Sequence, residues 1–403
     1  MIEELRLKNF RSFRDTTIKL KPFSVFIGPN GCGKSNLISV FEFIGRAVKE
    51  DVKAAFSALG GSFFSTRHIK AGVDDPIQID ISYRERGEPP DEEKKIGRLR
   101  PRKFTYHISI IDKEGEPVVT DEWLRAKKPS LKIGGAPWFY LKVDEKKGKV
   151  ASPKGEYEVR EDITLDLVRS ESYELILGGG RFLKDYPQVQ KFNKFITNWY
   201  ISKFEPGQAR YSSKYSKVFR LSSSGDNLVL VIENMKTYHE DILNDVEEVL
   251  SDKIPGFLGV KIKESDDGRH FISIKEDSNP EGFPPNAISD GTIRLLGMML
   301  IMRDPNPPDI ICIEEPENNL HPHLLEILVD EFRTASKNVQ VIVTTHSPYF
   351  IDKCRPSEIF IIDKKDGESM ISLPHKWMQG KVPALKGRTL GEQWYEGVLG
   401  GNP

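Results

Sequence analysis

Apolar and polar positions alternate over the first part of the chain. Leu5-Arg-Leu and Thr17-Ile-Lys-Leu read as strands with one buried face, and the apolar run Phe23 to Ile27 reads as a strand covered on both. A glycine-rich turn follows. Beyond it Leu37, Val40, Phe41, Ile44 and Val48 recur at helical spacing. Strand, glycine turn and helix therefore come in that order.

From about residue 62 to 285 the texture changes. Gln78 to Tyr83 and Tyr106 to Ile111 predict neighbouring strands, and the charged stretch Arg84 to Lys103 between them predicts a long exposed hairpin loop. Trp138 to Val143 predicts a further strand. Tyr186 to Trp199 and Asn227 to Leu250 turn helical, and Val260 to Lys263 and His270 to Lys275 return to strand around Asp266-Asp-Gly-Arg. The last part alternates: helix Thr292–Met302, strand Ile310–Ile313, amphipathic helix Pro322–Ser336, strand Val339–Val343 and strand Ile359–Ile362. Such alternation predicts a parallel sheet flanked by helices. No repeat and no sustained heptad occurs, so no long coiled coil is expected. Three segments follow from this reading: 1–83, 84–285 and 286–403.

Composition narrows the picture little. Hydrophobic residues make up 38% and charged residues 30% of the 403, enough for a core and a solvated surface. Lys plus Arg number 59 against 60 Asp plus Glu, so only local patches can speak to nucleic acid. Cys32, Cys312 and Cys354 form no CxxC pair, which argues against a disulfide framework or structural zinc and suits a reducing, cytoplasmic setting. No apolar run approaches the ~18 residues of a membrane span, and the start lacks the core of a signal peptide.

Chemistry concentrates in four places. Gly28-Pro-Asn-Gly-Cys-Gly-Lys-Ser matches GxxxxGK[ST] in full. Backbone N–H groups of Asn30, Gly31, Cys32 and Gly33 would curl around a phosphate at the start of the following helix. Lys34 would reach the β- and γ-phosphates of ATP, Ser35 would offer its hydroxyl to Mg²⁺, and Asn36 follows in the same turn. Ile310-Ile-Cys-Ile-Glu-Glu is a buried strand ending in two acids: Glu314 suits the Mg²⁺ side, and Glu315 suits a base that orients and deprotonates water. Val341-Ile-Val-Thr-Thr-His delivers His346 from another strand end. Ala287-Ile-Ser-Asp-Gly-Thr opens a helix at Ser289, Asp290 and Gly291, which by itself reads as an ordinary N-cap.

In this order the four elements resemble the ABC-type ATPases, in the compact branch close to RecF, SMC heads and OLD-type ATPases. Leu5 to Phe13 is similar to that branch's opening strand and loop. Ser224-Gly-Asp-Asn-Leu and the closing Leu390 to Gly401 resemble a group of predicted bacterial AAA-type, ABC-like ATPases. The resemblance implies an α/β P-loop NTPase of ABC-ATPase type, with a mixed β part, a parallel sheet with flanking helices, and an inserted α+β lid region. It implies ATP and Mg²⁺ as cofactors. Ser289, Asp290 and Gly291 become a signature that caps ATP bound by a second copy, in a head-to-tail homodimer. Asn318 and Asn319 become the D-loop, His346 the switch histidine, and Arg11, Ser12 and Phe13 neighbours of the adenine. Where the family has a Q-loop glutamine, this sequence offers His68, with Gln78 as the alternative. Glu314 stands where most Walker B strands have Asp.

Three outputs stay open. The first is a dimeric switch acting on DNA, in repair or anti-phage defence, with a separate effector such as a nuclease. The second is a stable ATP-bound sensor that restrains a partner effector without touching DNA. The third is a transporter motor, which the long insertion and missing Q-loop glutamine disfavour. No nuclease constellation appears in the chain. Two segments could meet a nucleic-acid backbone: residues 191–220, with seven Lys/Arg and eight aromatics, and Lys94 to Lys103, with six basic residues. The first reads equally well as a folded lid with core aromatics.

Overall fold

Leu5 and Leu7 are fully buried while Arg6 between them is exposed, and the alternation folds as strand β1 (Ile2–Phe10). Strand β2 (Phe13–Ile18) returns antiparallel beside it, and β3 (Phe23–Ile27) is buried at every position. The computed structural model describes residues 1–86, 103–127, 139–144, 148–153, 160–165, 171–179, 186–374 and 387–399. These group into two units that interleave along the chain. Unit 1 takes 1–22, 28–199 and 360–373; unit 2 takes 23–27, 200–359 and 374–403.

Unit 1 is built on an antiparallel sheet. Helices α1 (Lys34–Lys49), α2 (Val52–Ala58) and α3 (Phe63–Thr66) follow the glycine turn. The sheet then gains β4 (Ile77–Arg84), β5 (Lys103–Lys113), β6 (Glu116–Lys127), β7 (Phe139–Asp144), β8 (Gly148–Pro153) and β9 (Arg160–Leu165), in the order β2-β1-β4-β5-β6-β7-β8-β9. β4 and β5 pair from Ile77↔Ile110 to Arg84↔Lys103, the two ends of the expected hairpin loop. Residues 87–102, with all of the basic run except Lys103, lie outside the described residues. Helix α4 (Pro187–Thr197) packs on α1, with Trp199 edge-on to Phe41 at 5.5 Å. Phe192 lies 5.9 Å from Phe104 and 5.3 Å from Tyr106. The aromatics of 192–199 are thus core, as the lid reading expects, and give no stacking surface.

Unit 2 opens with β10 (Tyr200–Ser202) and α5 (Pro206–Ala209). The helical periodicity of Asn227–Leu250 is two helices, α6 (Leu228–Tyr238) and α7 (Glu240–Lys253). The break falls at His239, where Glu240 and Asp241 supply the acidic first turn that favours a new helix start. A small antiparallel sheet follows, of β11 (Phe257–Glu264), β12 (His270–Glu276) and β13 (Asn279–Phe283). Next come α8 (Asp290–Met302), β14 (Ile310–Glu314), a 3₁₀ turn over Pro322–Leu324, α9 (Leu325–Ala335), β15 (Gln340–Thr345) and α10 (Pro348–Asp352). Strands β10, β14, β15 and β3 lie side by side, all parallel. Phe332 of α9 covers them, edge-on to Phe23. Ile359 starts strand β16 (Ile359–Lys365), which pairs in unit 1 with β17 (Glu368–Ser372); α11 (Leu390–Tyr395) packs on α10 in unit 2. Among the described residues the longest helix is α1, of 16 residues, and no helix is long and apolar enough to cross a membrane.

Candidate active site

The phosphate-loop half belongs to unit 1. Gly33 has φ 116, and a β-carbon there would lie 2.4 Å from Ser369 Oγ, so only glycine fits the position that caps α1. Ser369 donates to the Cys32 carbonyl at 2.5 Å and accepts from the Ser12 hydroxyl at 2.7 Å. Asn36 Nδ2 donates to the same Ser12 hydroxyl at 2.8 Å, and Arg11 reaches Asn36 Oδ1 at 3.3 Å. Arg11, Ser12 and Asn36 therefore form one network that pins the loop to the β1–β2 turn. Lys34 is buried, and its ammonium donates to the carbonyls of Gly28 (2.7 Å) and Pro29 (3.0 Å). Cys32 is buried, and burial pushes its thiol pKa up, which makes it a packing residue. Phe13 is fully buried, so its ring serves the core. His68 is also buried: its Nδ1 accepts from the Lys70 amide at 3.1 Å and its Nε2 has no hydrogen-bond partner.

The acid–histidine half belongs to unit 2. Glu314 ends β14 in register with Thr344 of β15, and the Glu315 amide donates to the Thr344 carbonyl at 2.8 Å. Glu315 itself sits at φ 45, a conformation that L residues other than Asn, Asp and Gly seldom adopt. Both carboxylate oxygens are held: Oε1 by His346 Nδ1 at 2.9 Å, Oε2 by Asn318 Nδ2 at 3.1 Å. Glu315 as a carboxylate only accepts, so Nδ1 carries the hydrogen and Nε2 of His346 is left for another partner. β3 ends in register with Thr345 at Ile27, and Gly28 is the next residue in the chain. The Glu315 turn and the His346 turn thus leave neighbouring parallel strands of unit 2 at their C-terminal ends, where open α/β sheets hold ligands.

Ser289, Asp290 and Gly291, which the resemblance makes a signature, also lie in unit 2. Ser289 caps α8, accepting from the Thr292 amide at 3.0 Å and bonding the Thr292 hydroxyl at 2.8 Å. Asp290 pairs with Arg210 at 2.6 Å, and Asn319, at φ 65, reaches toward Asp290 at 3.4 Å. Arg210 also donates to the carbonyls of Pro285 and Ile288, at 3.0 and 2.7 Å. It fixes the loop that leads into the signature. Sequence reasoning missed that role, because Arg210 lies far upstream in a segment read for its charge. Glu317 and Thr345 were missed as well; only their places beside Glu315 and His346 could have drawn attention to them.

The resemblance assigns magnesium to Ser35, in unit 1, and Glu314, in unit 2. Among the described residues no three His, Cys, Asp or Glu side chains close on a metal. That donor set suits Mg²⁺, which takes one or two protein oxygens and completes its shell with phosphate and water.

A family model described as "AAA domain, putative AbiEii toxin, Type IV TA system" matches residues 181–352, and one described as "AAA ATPase domain" matches residues 1–135. The "Retron Ec83 probable ATPase" of Escherichia coli is 26% identical over 163 residues, 37% of this chain and 29% of that protein. The "Chromosome partition protein Smc" of Methanococcus voltae is 42% identical over 55 residues, 13% of this chain and 5% of that protein. The chain therefore spans under a third of the curated relatives it matches. A solved SMC head bound to the C-winged helix domain of ScpA aligns over 94% of this chain and 99% of its own, at TM-score 0.56 and 16% identity. A second SMC head, carrying an extended coiled coil and bound to the C-terminal domain of ScpA derived from Pyrococcus furiosus, aligns over 96% of this chain and 99% of its own at TM-score 0.52 and 14% identity.

Proposed function

We propose that this chain, which is SMC-head-like in fold and matched in part by AAA-type ATPase family models, binds and hydrolyses ATP as the gate of a head-to-tail homodimer. The observation that carries the reading is Glu315. A carboxylate held on both oxygens by His346 and Asn318, on strained backbone at a strand end, is positioned as a base. Glu315 takes the proton of the attacking water. His346, fixed through Nδ1, presents Nε2: the neutral ring accepts from that water, and the protonated ring donates to a phosphate oxygen. Lys34 and the α1 N-terminus receive the phosphates. Mg²⁺, held by Ser35 and Glu314, would neutralise charge on the β- and γ-phosphates. Ser289, Asp290 and Gly291 of a second copy would close over the nucleotide, so hydrolysis opens the dimer.

Glu315→Gln tests this reading. It keeps the side-chain shape and should bind ATP, lose turnover by roughly 10²–10⁴-fold, and accumulate as a dimer in light scattering. A variant that stays monomeric at saturating ATP would sink the clamp.

The output belongs to the same proposal: a switch in DNA repair or anti-phage defence that works through a separate effector. Support comes from the likeness to a retron ATPase and to an AAA domain of a Type IV TA system. One structural feature favours nucleic acid over pure restraint of an effector. In unit 2, Tyr211, Tyr215 and Tyr238 are exposed, and Lys217 lies 4.7 Å over the Tyr238 ring beside exposed Lys214.

A further inference from the structure

Glu317 lies two residues beyond Glu315 and is 8% exposed. Its Oε1 accepts from the Thr345 hydroxyl. That hydroxyl in turn accepts from the Ser347 amide at 3.0 Å. Thr345 and Ser347 flank His346, so one carboxylate oxygen grips the turn that carries the histidine. The Glu317 carbonyl also accepts from the Leu320 amide at 3.0 Å, closing the turn that holds Asn318 and Asn319. Its second oxygen, Oε2, is buried without a hydrogen-bond partner.

A buried carboxyl with an unsatisfied oxygen is a poor choice for stability, since a neutral isostere would serve the core better. Burial pushes the Glu317 pKa up, the Glu315 charge pushes it the same way, and the His346 ring opposes them. The residue therefore sits beside both members of the acid–histidine pair and touches neither by hydrogen bond.

We propose that Glu317 is a positioning residue for ATP hydrolysis, which holds the His346 turn in register with the Glu315 turn through the Thr345 hydroxyl. The inference rests on the reading that Glu315 and His346 act on the phosphates. It implies that the two turns move as one piece: a shift of the Asn318–Asn319 segment carries His346 with it.

Two variants break the link from opposite ends. Glu317→Ala removes the acceptor, and Thr345→Val removes the donor while keeping the shape. Each should lower kcat for ATP by roughly ten- to a hundredfold, as small misplacements of reacting groups do, with KM moved less than about twofold. The double variant should be no slower than the slower single, because both changes cut one connection. Thr345→Ser should restore the rate. Thermal melts and nucleotide binding accompany each variant, and Thr345→Val carries the test if Glu317→Ala does not fold. The inference is overturned if Thr345→Val turns over at the wild-type rate, or if the two single losses multiply in the double. It is overturned too if binding and stability fall with no kcat-against-KM split. Glu315→Gln and His346→Ala separate the two levels. If they also retain turnover, the hydrolysis reading fails; if they lose it while Thr345→Val does not, only the role of Glu317 fails.

Discussion

A methyl group built on Gly291 would lie 2.6 Å from the carbonyl oxygen of Asn319. Real β-carbons do not approach an oxygen that closely. The first turn of α8 and the turn after β14 are therefore interlocked backbone to backbone, with Asn319 itself held at φ 65. Two motifs that read as separate in the sequence form one object in unit 2, to which Arg210 and Asp290 add a charged clasp.

Gly291→Ala should force that pair apart. Overpacking of this kind costs about 1–3 kcal/mol, so the melting temperature should fall. If the signature must meet a second copy, dimerisation of Glu315→Gln in the same background should fall as well. Gly45→Ala is the internal control. Gly45 lies inside α1 with no atom beyond its own stretch of helix backbone within 4 Å of the added carbon, and the change should stabilise by about 0.5–1 kcal/mol. Opposite signs in the two melts are the expected result; equal losses would mean that the Asn319 carbonyl matters no more than any helical neighbour.

Much of this was legible before folding. The period-two run at Leu5–Leu7, the apolar block Phe23–Ile27 and the strand Ile310–Glu314 carry their fold in their spacing, because each buries one or both faces of a strand. β6 was not legible: Asp121, Glu122 and Arg125 interrupt its apolar pattern. The structure explains one of them, since Glu122 is buried and bonds the Tyr106 hydroxyl at 2.8 Å and the amides of Ile176 and Leu177. The motif residues were visible through their chemistry. What joins them was not, because Arg210, Glu317 and Thr345 bond partners distant in sequence, which no spacing reveals.

Lys34→Ala should weaken ATP binding by roughly ten- to a hundredfold, the worth of one charge-assisted hydrogen bond. The variant also leaves the carbonyls of Gly28 and Pro29 without their present donor. Titration with a fluorescent ATP analogue checks it. Unchanged affinity would mean that the nucleotide does not use this loop.

His68 supplies a pH prediction. Burial lowers its pKa, so the folded state favours the neutral ring. Stability from that preference is present above the ordinary histidine value, about 6.5, and is lost as pH falls through the folded value. His68→Gln removes the titration. The variant should therefore lose less stability than wild type between roughly pH 6.5 and pH 5. Glutamine also restores the residue type that this sequence lacks at the expected Q-loop position. Turnover equal to or above wild type would support that placement, whereas a rate lost together with nucleotide affinity would indicate a packing role.

The exposed face around Tyr211, Tyr215 and Tyr238 decides between the two outputs. Sequence reading spread its nucleic-acid signal over residues 191–220, and burial of Phe192, Phe195, Trp199, Tyr200 and Phe204 removes the first half of it. Lys214 is exposed, and so is Lys217, whose ammonium lies 5.3 Å over Phe219 and 4.7 Å over Tyr238. Such a face should hold single-stranded DNA by backbone charge and by stacking on the free rings. Affinity should then fall linearly with the logarithm of salt, and Lys214→Ala with Lys217→Ala should reduce that slope by about 0.7 for each phosphate no longer neutralised. Tyr211→Ala with Tyr215→Ala should weaken binding at every salt concentration and leave the slope unchanged, because stacking releases no counterions. Wild-type protein that binds no DNA at low salt would remove this face from the mechanism and favour the sensor that restrains its effector by direct docking alone.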